Sequence, residues 1–150
     1  MGFTTLSLKG RALRLLSQRE HSRCELQRKL SPHVQEGDDL AALLDDLQAR
    51  DFISQDRVVE SVLHQRASRL GASRIRQELQ AKGIDADAVQ HALAQLQDTE
   101  WVRAYAVWQR KFGAVAEDPR QRARQVRFLM TRGFSSEITS RVVRGEAPEV

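Results

Sequence analysis

Cysteine is nearly absent from this chain of 150 residues, and the lone thiol of Cys24 excludes an internal disulfide and any metal site built on several thiolates. One unpaired cysteine fits a reducing compartment, so a cytoplasmic location is expected. No window approaches the roughly 18 apolar residues of a membrane span. The amino-terminal stretch carries Lys9 inside its apolar part and has no small-residue cleavage site, so it does not read as a signal peptide, and no membrane contact is expected. Glycines at 2, 10, 37, 71, 83, 113, 133 and 145 never gather into a phosphate-cradling loop. The four histidines, His21, His33, His64 and His91, show no i,i+4 pair and no zinc-like spacing with Cys or Glu. The sequence therefore gives no basis for a nucleotide, a metal or any other cofactor, nor for catalysis. Cys24 with His21 one turn away lacks a third orienting group, and a packed structural thiol is the preferred reading.

Proline is limited to three residues and β-branched runs of strand length are missing, while Leu, Ala, Gln, Glu and Arg fill the intervals. The fold class expected is all-α. Ser22 and Glu25 stand in capping-box spacing ahead of Leu26 and Leu30, and Ser31-Pro32 stops that helix. Leu40, Leu43, Leu44 and Leu47 mark a third helix opened by Asp38 or Asp39. Further helices are expected over about 55–70, closed by a left-handed Gly71, and over 73–82, closed by Gly83. Asp85 or Asp87 opens the next. Thr99 is the expected cap of a helix with Trp101, Tyr105, Trp108 and Phe112 as a core stripe, preferred over their use as base-stacking platforms. Asp118-Pro119 opens another helix, and Ser135 or Ser136 the last.

Nine helices fall into three triplets with markers that recur in phase: Glu25-Leu26 against Glu78-Leu79, and Lys82-Gly83-Ile84 against Arg132-Gly133-Phe134. The boundaries expected are 1–53, 54–98 and 99–145, with a frayed tail at 146–150. Units this small bury too little surface to stand alone, so an elongated, curved array of three tandem three-helix repeats is expected.

Charge is uneven. Arginine outnumbers lysine by twenty to four, both ends of the chain are basic, and residues 36–60 are strongly acidic. The second helix of each triplet is basic: Arg23, Arg28 and Lys29 in the first, Arg74, Arg76 and Lys82 in the second. Arg120, Arg122, Arg124, Arg127 and Arg132 follow in the third, with no acid among them. With Arg66 and Arg69 these thirteen residues form the candidate partner-binding strip, able to meet phosphates or acidic side chains.

The runs LSLKGRALRLLSQREHSRCELQRKL, LLDDLQARDFISQDR, GASRIRQELQAKGI, WQRKFG and RQVRFLMTRGFSSEI resemble the RecX family of bacterial recombination regulators, from about Leu6 to Gly145. One departure is Gln55-Asp56-Arg57-Val58-Val59, where the family often has an acidic pair and then Arg-Phe-Ala, and local packing is expected to differ there. The resemblance implies three three-helix repeats that lie in the groove of the RecA filament on DNA; a monomer is expected. It also implies inhibition of ATP hydrolysis, strand exchange and coprotease activity, with effects on recombination, repair and the SOS response. A direct DNA-binding role, by covering single- or double-stranded DNA, is the alternative.

Overall fold

Several helix starts are set by side chains that satisfy their free amides. The structure, a computed structural model, describes residues 6–149; Met1–Thr5 of the amino-terminal reading and Val150 of the expected tail lie outside the described residues. Among the described residues there are nine α helices and no strand. They are α1 (Leu8–Gln18), α2 (Arg23–Leu30), α3 (Leu40–Ala49), α4 (Gln55–Arg66), α5 (Ala72–Ala81), α6 (Ala86–Gln97), α7 (Glu100–Lys111), α8 (Pro119–Thr131) and α9 (Ser136–Val143). The all-α expectation is met.

The Ser22–Glu25 capping box forms in full, each side chain bonding the other residue's amide. Asp39, not Asp38, caps α3; Asp118 caps α8 with Pro119 at its first position; and Ser135, not Ser136, caps α9. Asp85 precedes α6 and Asp87 lies in its first turn. Thr99 departs from expectation. It stands before α7, but its hydroxyl donates to Leu96 O and accepts from Arg103 Nε, so it leaves the α7 amides alone.

The chain divides into two compact units. The first holds residues up to Ser61 together with Ala81–Ile84. Its core is Leu8, Ala12, Leu26, Leu30, Leu44, Leu47 and Ile53, contributed by α1, α2, α3 and the chain just after α3. Val58, one of the departures from the family pattern, is buried in α4. The turn from Ala81 to Ile84 seats on α2: Arg28 donates to Ala81 O at 3.3 Å and Lys82 reaches Glu25 at 3.2 Å.

The second unit holds Val62–Gln80 and the chain from Asp85 onward. Ala104, Val107, Trp108, Leu129, Phe134, Val142 and Val143 form one core, and Trp101, Tyr105 and Phe112 pack against it. The aromatic stripe of α7 is therefore core. Trp108 donates to Gln125 Oε1 at 2.9 Å, and Trp101 donates to Glu146 O at 3.2 Å, tying down the start of the carboxyl-terminal tail.

The recurring Lys/Arg-Gly-apolar marker has a physical meaning inside each unit. In the first, a β-carbon on Gly83 would sit 2.7 Å from Cys24 Cβ; in the second, one on Gly133 would sit 2.5 Å from Arg74 Cγ. The same number of positions separates each glycine from the residue it touches. Both glycines have φ in the left-handed region, +73° and +92°, so a bare α-carbon is needed twice over. Ile84 and Phe134 follow them into the core.

Candidate functional site

The strip arginines and lysines divide by what holds them. In the first unit Arg23 pairs with Asp45 at 2.7 Å and donates to Gln48. Arg28 reaches Cys24 Sγ as well as Ala81 O, which makes the thiol a packing and hydrogen-bonding element. Lys29 lies 3.0 Å from His21 Nε2. Since the ammonium only donates, that nitrogen is the acceptor and Nδ1–H donates to Arg19 O at 3.0 Å. Both ring nitrogens of His21 are thus engaged away from Cys24. Among the described residues no group of three or more His, Cys, Asp or Glu side chains converges as a metal site would require, and no helix is long and apolar enough to cross a membrane.

Glu25 is the electrostatic centre of this unit. Its buried carboxylate accepts from Arg19 at 2.7 Å, from Lys82 at 3.2 Å and from the Ser22 amide at 3.1 Å. Burial alone would raise its pKa, but these donors win and hold it at about 2, against 4.5 for a free carboxyl. That depression is worth about 3 kcal/mol at neutral pH. Burial, reinforced by Arg19 and Lys29, lowers the His21 pKa below 6.5, against the opposing bond to Arg19 O.

The signs combine. On acidification below about 6.5 the unfolded chain protonates His21 before the folded one does, and stability begins to fall. Glu25 contributes fully above about 4.5, and its share is lost as pH falls toward 2. Urea titrations from pH 7 to 3 are expected to show falling stability, with Glu25→Gln about 3 kcal/mol weaker at pH 7 and losing less than the wild type between pH 4.5 and 3. Parallel profiles for the two proteins would refute this role.

In the second unit Arg66 pairs with Glu78 at 3.0 Å, and Arg74 donates to Thr131 O at 2.9 Å. Arg76 is exposed. On α8 the apolar and amide side chains of Gln125 and Leu129 face inward, and Gln125 is satisfied by Trp108 and by Ala114 O. Arg120, Arg122, Arg124 and Arg127 are all exposed, and among the described residues none makes an ion pair. Arg120, Arg124 and Arg127 line one groove of about 380 Å³ with Gln121. Arg120 and Arg122 stand in or beside the first turn of α8, where the helix dipole disfavours cations by a few tenths of a kcal/mol each. The i,i+4 pair Arg120–Arg124 and the i,i+3 pair Arg124–Arg127 add repulsion of similar size. These arginines do not serve helix stability.

Arg69 and Arg132 meet in a second depression of about 280 Å³, together with Arg110, Lys111, Val107 and Phe128. Arg110 and Lys111 are not among the thirteen strip residues; the signal for them in the sequence is the adjacent Arg-Lys pair within WQRKFG.

Residues 55–93 match the family model for the second three-helix domain of RecX, and residues 98–143 the model for the third. A regulatory protein RecX from Leptothrix cholodnii is 55% identical over 139 residues, spanning 93% of this chain and 88% of that protein. One from Pseudomonas entomophila is 38% identical over 145 residues, spanning 95% and 93%. The crystal structure of RecX from Lactobacillus salivarius superposes with a TM-score of 0.73 at 21% identity, covering 93% of this chain and 94% of the other, which establishes likeness of fold. With sequence, family domains and fold in agreement, the chain belongs to the RecX family of regulatory proteins.

Proposed function

We propose that this protein restrains the RecA recombinase by binding its filament on single-stranded DNA and inhibiting ATP hydrolysis, strand exchange and coprotease activity, so limiting recombination, DNA repair and the SOS response. The carrying observation is the exposed, unpaired arginine row of α8, kept at a cost to its own helix, on a chain of the RecX family. Guanidinium groups fork onto carboxylate or phosphate, and a filament coated with both offers partners for each. The regulator is cytoplasmic, monomeric and non-catalytic, built of three consecutive repeats, 1–53, 54–98 and 99–145, the third of which carries this row.

The test is RecA ATP hydrolysis on single-stranded DNA at near-stoichiometric regulator. Wild type is expected to slow it. Combined Arg120→Glu, Arg124→Glu and Arg127→Glu is expected to weaken inhibition at least tenfold while far-ultraviolet helicity stays unchanged. Undiminished hydrolysis with the wild-type protein would overturn the reading, and full inhibition by the folded triple variant would remove α8 from it.

A further inference from the structure

We infer that the depression formed by Arg69, Arg110, Lys111, Arg132, Val107 and Phe128 is a seat for a phosphodiester of a single-stranded nucleic acid, at one end of a cationic track along α8. Four cations surround about 280 Å³ and no carboxylate is among the lining residues. Like charges so gathered repel unless an anion joins them. The carboxyl ends of α7 and α8 nearby supply only about half a negative charge each.

The cations are also under-used. Arg69 spends one donor on Gln65 O at 3.4 Å and Arg110 one on Ser68 O at 3.3 Å, from five N–H groups apiece. The Arg132 guanidinium lies 4.2 Å from the centre of the Phe128 ring, with its Nε buried and without a hydrogen-bond partner. Lys111 approaches the same ring at 5.6 Å, and Phe112 meets it edge-on. Phe128 thereby holds the cations in place.

Arrangement decides between a point anion and a linear one. Arg120, Arg124, Phe128 and Arg132 recur every four residues, a row that winds slowly around α8 over about 18 Å, with the groove of Arg120, Arg124 and Arg127 at its start and this seat at its end. Spaced cations over that length match spaced phosphates better than one small ion. A tetrahedral phosphate also accepts from several directions at once, whereas a planar carboxylate is filled by one fork. This deepens the reading of α8 given above, and it is tested without the recombinase so that each can fail alone.

The experiment is fluorescence anisotropy of a labelled oligothymidylate across a salt series, on full-length protein. Arg110→Ala with Lys111→Ala is expected to weaken binding roughly tenfold and to make the log–log salt slope shallower by about 1.4, two lost phosphate contacts on a single strand. Lys9→Ala with Arg14→Ala, which removes equal charge from α1, is expected to change affinity less than threefold. Melting curves confirm that both variants fold. Unchanged affinity and slope in the first variant, or equal losses in the two, would overturn the proposal. So would displacement of the oligonucleotide by ATP, or by polyglutamate of matched length, at concentrations below its own, since the seat would then belong to a free nucleotide or an acidic peptide.

Discussion

Replacing Arg103 by Ala is expected to lower the stability of the second unit by about 3 kcal/mol, a larger loss than any exposed arginine can cause. Arg103 is one of twenty arginines and nothing in its sequence neighbourhood marks it out. Its guanidinium donates to Ala67 O and Leu70 O at 2.8 Å each and to Leu96 O at 3.0 Å, while Nε donates to Thr99 Oγ1 at 3.0 Å. Those carbonyls follow or end α4 and α6, where unpaired C=O groups and the negative helix poles collect. One cation therefore closes two helix ends from a third helix. Burial lowers its pKa, with Glu100 opposing, yet an arginine stays charged at any ordinary pH. Charged hydrogen bonds contribute about 1.5–3 kcal/mol each, and relief of the guanidinium's desolvation returns part of their sum. Arg103→Lys keeps the charge and loses the fork, so it is expected to recover about half. Urea unfolding followed by circular dichroism checks both. A loss below about 1 kcal/mol for the alanine variant would show that water closes those carbonyls equally well.

Arg103 also shows where the sequence stops being legible. Caps that act within one turn, such as Ser22 with Glu25, Asp118 with Pro119 and Ser135, depend on neighbours along the chain and were readable as spacing. The aromatic stripe of α7 was readable for the same reason. Arg103 acts on backbone carbonyls, which every residue has, so no partner side chain announces it. The candidate strip suffered similarly: Lys82 and Arg66 look as free in sequence as Arg124, but Glu25 and Glu78 meet their charges once helices pack. Arg110 and Lys111 share a depression with Arg69 and Arg132 only because packing brings the four together. Fold class and family lie in short-range pattern; the sorting of equal charges into internal and external ones needs tertiary distance.

Gly71→Ala is expected to be as damaging as the loss of Arg103, about 3 kcal/mol, for a reason the sequence misassigned. Its place after α4 predicts a left-handed closing residue, yet Gly71 is not among the positive-φ glycines. What it supplies is room. An added β-carbon would lie 2.4 Å from Gly133 C, Gly133 O and Phe134 N, all backbone atoms that no rotamer change can move. Relief requires separating the start of α5 from the turn between α8 and α9, and that turn is held there by Gly71 N–H donating to Arg132 O at 2.8 Å and Ser73 N–H to Gly133 O at 3.2 Å. Overpacking costs about 1–3 kcal/mol and each strained backbone bond about 1 more. Gly37→Ala is the control: its φ is +89° but nothing lies within 4 Å of the added carbon, so only the backbone penalty of about 1–2 kcal/mol applies. Thermal melts of the two variants are expected to rank Gly71→Ala well below Gly37→Ala. The reverse order would mean that the α5 start yields easily, and that glycine at 71 is not what allows α5 to press against the turn between α8 and α9.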